Sequence, residues 1–231
     1  MTAFNCLLFC SLLFAADEPK SAALMQTLPE DGSWVKFNVN VVINGAEVSP
    51  TWTMRSVGKA DHDGKACRFI ELEQTCPTPP LGNVTWRLLV PEAEFGEGKH
   101  PLGNARKVWV QYEKEEPQTV DSIPIKDPIF GALIAGPTAE VLVLREREKV
   151  SWQRGNLESE VVTGTREIDF AGAKLQISHR VLRHRDIPFG LAGMRQELNA
   201  EFGGAKQQAK ITMTLQDHGS DAKSKLPDLK P

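Results

Sequence analysis

The chain of 231 residues lacks most of the patterns that would specify a reaction. It has no Gly-x-Ser-x-Gly elbow, no Gly-rich loop leading into a Lys-Ser or Lys-Thr helix start, and none of its five histidines stands at a metal-ligand spacing. A motif-borne hydrolase elbow, a phosphate cradle and a local zinc site are thereby excluded. Neither charge sign is in large excess: 27 Lys and Arg against 30 Asp and Glu give a net charge of −3, which argues against a nucleic-acid surface. No run approaches the roughly 20 apolar residues that a membrane-spanning helix needs. There is one tyrosine, and two of the four cysteines lie within the first ten residues. With 41% hydrophobic and 25% charged residues, the composition is globular rather than disordered, collagenous or coiled-coil.

The apolar residues are unevenly placed. Cys6 to Ala16 is apolar except for Ser11, too short to span a bilayer, and is followed by the acidic Asp17-Glu18-Pro19-Lys20. This reads as a secretory signal peptide over residues 1–16, cleaved after Ala15 or Ala16. An alternative acylation at Cys10 is disfavoured by the bulky Phe9 before it. The expected product is exported to a periplasmic or extracellular space and carries no transmembrane span. Without the leader the apolar share falls to about 38%, which suits one curved sheet with a single buried face better than two thick layers. The expected organisation is one β-rich domain over residues 17–219 and a frayed tail over 220–231.

Strand patterning supports this. A two-residue turn at Asn44-Gly45 pairs Ile43 with Ala46, Val41 with Val48, Val39 with Pro50, Phe37 with Trp52 and Val35 with Met54, all apolar. The other face is polar apart from Val42. Pro50 has no N–H for its pair, which predicts a bulge or an exposed edge there. A three-residue turn His62-Asp63-Gly64 sets Met54 against Leu72, Ser56 against Ile70 and Arg55 against Glu71, with Gly64 left-handed. Val84 to Val90 reads as a strand ended by Pro91. Leu102, Ala105, Val108, Trp109 and Tyr112 fall at helical spacing and predict a short helix, although Val108, Val110 and Tyr112 also alternate. Residues 117–137 form a Pro-rich connector expected to pack on the sheet. A turn at Ala171-Gly172 pairs Phe170 with Ala173, Asp169 with Lys174 and Ile168 with Leu175, and further out Glu160 with Arg183 and Glu158 with Arg185. Leu191 to Phe202 and Lys206 to Leu215 complete a mainly β fold. The expectation is an antiparallel meander of about 8–10 strands forming a half-barrel or barrel, with one or two short helices.

Export permits a disulfide, and Cys67 and Cys76 are the pair that remains. A continuous strand between them would hold them about 25 Å apart, so the bond requires the chain to fold back after Leu72.

A leader, a long curved meander, a Pro-rich excursion and a final hairpin resemble the LolA/LolB-like lipoprotein carriers, half-barrel proteins of bacterial envelopes. Ile187-Pro188-Phe189-Gly190, Leu215 to Ala222 and Leu226-Pro227-Asp228 also resemble the closing segments of uncharacterised exported bacterial proteins. The first resemblance implies a carrier fold; neither implies a functional residue.

The candidate chemistry is sparse. Asp61-His62-Asp63 sits in a turn, where Asp serves local bonding. Asp217-His218-Gly219-Ser220-Asp221 lacks the regular ligand alternation of a calcium loop. Ser178 and His179 are neighbours on a strand and face apart, as do His179 and His184. The basic run Arg180 to Arg185 reads as a strand neutralised by Glu158 and Glu160. If the sheet curves without closing, Val35, Phe37, Val39, Trp52, Met54 and Leu72 line a concave apolar surface for a lipid, another apolar ligand or an envelope partner. The sequence thus points to a non-enzymatic exported binder, with no metal, cofactor or nucleic acid implied. The alternatives are a structural or adhesive module, marked by an exposed apolar patch, and a hydrolase assembled from Asp61, His62 or His218.

Overall fold

A computed structural model describes residues 25, 27–76, 82–96, 99, 101–120, 141–170, 173–202 and 205–229. The leader at 1–16 and most of the connector at 117–137 lie outside them, as does the Ala171-Gly172 turn itself.

The strands are β1 (Trp34–Ile43), β2 (Ala46–Val48), β3 (Thr51–His62), β4 (Lys65–Thr75), β5 (Val84–Pro91), β6 (Lys107–Tyr112), β7 (Gln118–Val120), β8 (Val141–Trp152), β9 (Gly155–Phe170), β10 (Ala173–Arg183), β11 (Leu191–Phe202) and β12 (Ala205–Gly219). They form one antiparallel sheet in the order β7-β6-β5-β4-β3-β1-β12-β11-β10-β9-β8, with β2 beside β1. Neighbours in sequence are neighbours in space, except that β2 and β3 both pair with β1, that β1 also pairs with β12, and that β7 and β8 stand at opposite edges. The sheet is therefore open, and of the two expected forms the closed barrel is excluded. Among the described residues there are twelve strands, against the expected eight to ten. In place of the expected helix, Leu102–Asn104 forms one 3-10 turn and Lys107–Tyr112 is strand β6. Alternation prevails there because Trp109 and Val110 are buried on opposite faces, and β5 offers a ladder running from Val84↔Tyr112 to Leu89↔Lys107.

The first hairpin follows the pattern of its side chains: Val35↔Met54, Phe37↔Trp52, Val41↔Val48 and Ile43↔Ala46 are all paired. At Pro50 no residue is inserted. Val39 still donates its N–H to the Pro50 carbonyl at 2.9 Å, and the chain beyond it, β2, pairs only with β1 among the described residues. Of the two expected accommodations no bulge forms, and the edge is β2 alone: Pro50 itself is buried rather than exposed. Between β3 and β4 the pairings Met54↔Leu72, Arg55↔Glu71 and Ser56↔Ile70 are present, but the turn is only Asp63-Gly64, since His62 pairs with Lys65. Both turn residues have positive φ, 53° and 70°. The third loop residue is displaced into an irregularity between Ser56 and Lys59, where Gly58 takes a φ of 133°.

From Phe170↔Ala173 to Glu160↔Arg183, β9 and β10 pair in the expected register. Glu158↔Arg185 does not form, because β10 ends at Arg183. Glu158 lies instead opposite Lys149 and 3.6 Å from Arg147, and Arg185 pairs with Asp186. Arg180 is likewise held by Glu148, not by Glu158 or Glu160.

The sheet curls strongly. Adjacent strands are about 4.8 Å apart, so β8 and β12, four spacings apart, would be separated by roughly 19 Å if flat. Yet the rings of Trp152 and His218 stack at 4.8 Å, and Glu148 of β8 bonds Arg180 of β10 and Arg195 of β11. Val161 and Val162 point to opposite faces and are both fully buried, so β9 is covered on both sides.

The same is true of Leu88 and Leu89 on β5. Leu88 faces the main core, and Leu89 packs with Cys67, Trp109 and Leu226 from the C-terminal tail. The tail at 220–229 is thus clamped rather than frayed: the Ala222 N–H donates to the Gly32 carbonyl at 2.8 Å, and Trp34 Nε1 donates to Asp221 Oδ1 at 2.7 Å. Cys67 and Cys76 are both buried and are not bonded to each other. Because β4 runs unbroken to Thr75 instead of folding back after Leu72, they sit at its two ends, beyond disulfide reach.

Candidate functional site

Val35, Phe37, Val39, Trp52, Met54 and Leu72 do come together, but as core. Each is 2% exposed or less, in one cluster that continues through Trp86 and Leu88 to Met194 and Met213. Trp52 stacks on Trp86 with centroids 5.9 Å apart and donates its indole N–H to Gln74 at 3.1 Å. Of two hollows formed by described residues, none of the six borders the larger, although Val39 contributes to the smaller one, of about 220 Å3 near Pro50.

The larger hollow, about 650 Å3, opens at the ends of β1, β11 and β12. The left-handed Asn44-Gly45 turn, with φ of 49° and 85°, brings β1 to it. That turn is docked on β12 by two reciprocal bonds: the Asn44 N–H donates to the Gln208 carbonyl at 3.0 Å, and the Gln208 N–H donates to Asn44 Oδ1 at 3.1 Å. Val42, Lys210 and Glu197 form one cross-strand row, and Lys210 pairs with Glu197 at 3.4 Å. Leu198 and Ala209 point the other way and supply the apolar part of the lining; Asn199 and Gln208 add amides. The hollow thus borders both faces of the strand ends: Val42 with the net-neutral ion pair and the amides on one, and Leu198 with Ala209 on the other, where Leu198 also packs against the core. Half-exposed, the Lys210–Glu197 pair adds little stability, on the order of 1 kcal/mol or less. The signal for this site was present in the sequence: the Gly203-Gly204 turn signal, itself outside the described residues, is flanked by Phe202 opposite Ala205 and, five steps out, Glu197 opposite Lys210.

The groups that a hydrolase would need stay apart. His62 is at the tip of the β3–β4 hairpin, whereas His218 is opposite Val35, which itself pairs with Met54, roughly 25 Å along β3 from that tip. Asp61 Oδ1 accepts the Gly64 N–H at 3.1 Å, the turn bond expected of it. Asp217 is engaged by Arg154 at 2.6 Å and Asp221 by Trp34, so the 217–221 carboxylates serve the fold. His218 is stacked on Trp152, with the Arg154 guanidinium 5.5 Å over the other ring. Burial foremost, and the Arg154 charge second, lower its pKa, while Asp217 opposes them. His179 is buried on β10 at a position paired with Gln196 and Gly164. Among the described residues no group of three or more His, Cys, Asp or Glu is placed to hold a metal ion. Among the described residues the exposed large apolar side chains, Leu28, Ile43 and Tyr112, lie on separate segments and form no continuous patch.

No family model, no curated protein and no solved structure matches the chain.

Proposed function

We propose that the protein is an exported, non-enzymatic binder that holds an apolar or amphiphilic ligand, or an apolar segment of an envelope partner, in the hollow at the ends of β1, β11 and β12. The observation that carries this reading is the hollow itself. Its volume of about 650 Å3 lies within the usual range for small-ligand sites, and its lining sets Leu198, Ala209 and Val42 beside amides and an ion pair. An acyl chain would meet Leu198 and Ala209 on one face of the strand ends, and a polar head the Glu197–Lys210 pair that borders the hollow from the other. An open, curled sheet accords with the resemblance to the half-barrel envelope carriers, and the leader pattern accords with export.

The test is mass spectrometry of lipid extracts from natively purified protein, beside Ala209→Trp, which fills the hollow. A lipid that accompanies the wild type and is depleted in the variant is the expected result. If neither protein carries a lipid and neither binds a fluorescent fatty-acid probe, the reading is wrong.

A further inference from the structure

The outer face of β4, β5 and β6 carries a groove that the chain fills with its own C-terminal segment. Its floor is Cys67, Phe69, Leu89 and Trp109, on which Leu226 is seated at 4% exposure. Beside the floor lie Glu71 and Arg87, paired at 2.8 Å with side chains 0% and 5% exposed. Glu71 accepts the backbone N–H groups of Lys225 at 2.9 Å and Leu226 at 3.4 Å, and the Ser224 hydroxyl lies 2.7 Å from it. Arg87 donates to the carbonyls of Leu226 and Pro227, both at 2.8 Å, and to the Ser224 hydroxyl. One carboxylate and one guanidinium therefore read four main-chain groups of three consecutive residues, by bonds of the strong, charge-assisted kind.

The pair is not needed to join β4 to β5, which share an unbroken ladder from Cys67↔Pro91 to Gln74↔Val84. Nor is the segment part of that sheet: residues 221–229 form no strand, and their anchors in the groove are side chains. Pro227 biases Leu226 toward the extended conformation that the groove receives. The two charges neutralise each other, so lifting the segment exposes a paired, hydratable site and not an isolated ion.

We propose that this groove is a peptide-binding site for extended segments of the pattern Ser-x-Leu-Pro, with the chain's own Ser224 to Pro227 as its tethered, displaceable occupant. It is separate from the hollow at the ends of β1, β11 and β12 and stands or falls independently of it. Tethering places the resident segment at an effective concentration of about millimolar, so a free peptide competes poorly until the tail is released.

The test uses the full chain carrying Leu226→Asp, which frees the tail without deleting it, and a fluorescent peptide with the sequence of residues 220–231. Saturable anisotropy is expected with this variant, with affinity at least about tenfold weaker for the wild type and lost when Arg87→Met is added. Absence of binding by a Leu226→Asp protein whose circular dichroism matches the wild type overturns the proposal, as does equal binding by the wild type. Hydrogen exchange on the unaltered chain gives a check that no variant can spoil. The Lys225 and Leu226 amides should be protected yet open well before those of Leu72 and Leu88. Exchange at free-peptide rates, or only together with the core, overturns it equally.

Discussion

The indole of Trp152 and the imidazole of His218 stack at 4.8 Å, although β8 and β12 are separated by three other strands in the sheet. The contact is a clasp that holds the sheet's edge strand over its centre, completed by the 2.6 Å Arg154–Asp217 pair and by Arg154 Nη2 donating to the His218 carbonyl at 3.1 Å.

The clasp should weaken in acid. Burial, then Arg154, holds His218 below its ordinary pKa of 6.5, so the unfolded chain takes up this proton more readily than the folded one. The contribution is present above that value and is lost as the pH falls through and below it. From about pH 7.5 to about pH 5.5, the wild type should lose more melting temperature than His218→Phe, which keeps a stacked ring without a titrating group. Equal losses in the two proteins would contradict this.

Trp52 anchors the core where β3, β4 and β5 meet. Trp52→Ala should cost about 3–5 kcal/mol by denaturant titration, and Trp52→Phe distinctly less, since Trp86 retains an aromatic neighbour. A cost for the Ala variant below about 1 kcal/mol would mean that the site collapses freely.

Removing one member of the buried Glu71–Arg87 pair strands the other. Glu71→Leu alone should cost about 3–5 kcal/mol, and Glu71→Leu with Arg87→Met should cost clearly less than the two single changes added together. Additivity in that double-mutant cycle would show that the charges do not depend on one another.

The Cys67 thiol lies in the same cluster as Leu226, and burial first, then the Asp61 charge, raises its pKa, with Arg106 and Lys65 pulling down. It should be alkylated slowly by iodoacetamide near neutral pH and faster, by about tenfold or more, in Leu226→Asp. Peptide mapping identifies the labelled cysteine. Free-thiol reactivity of Cys67 in the wild type would refute the packing of the tail.

Local patterning was enough for the strands whose two faces differ. Phe37 opposite Trp52 and Met54 opposite Leu72 follow from alternation alone, because a one-residue slip would turn Lys36 and Asn38 inward in place of Val35 and Phe37. It failed where the two periods compete, at Leu102 to Tyr112, and where a charge finds its partner across strands, as Arg180 does with Glu148. The hollow was half legible: its turn and its Glu197–Lys210 pair are written at Asn44-Gly45 and Gly203-Gly204, but their meeting requires β1 to lie beside β12.

What the sequence determined, then, was an antiparallel sheet, its first registers and its apolar face, since these depend on side-chain alternation and turn residues a few positions apart. Only the tertiary structure decided that the curved sheet stays open, that the six inward residues pack as core, and that the tail is bound. Each of those outcomes rests on contacts between residues distant in sequence, such as Glu71 with Ser224 and Trp152 with His218, whose existence depends on curvature and strand order. No local pattern encodes those.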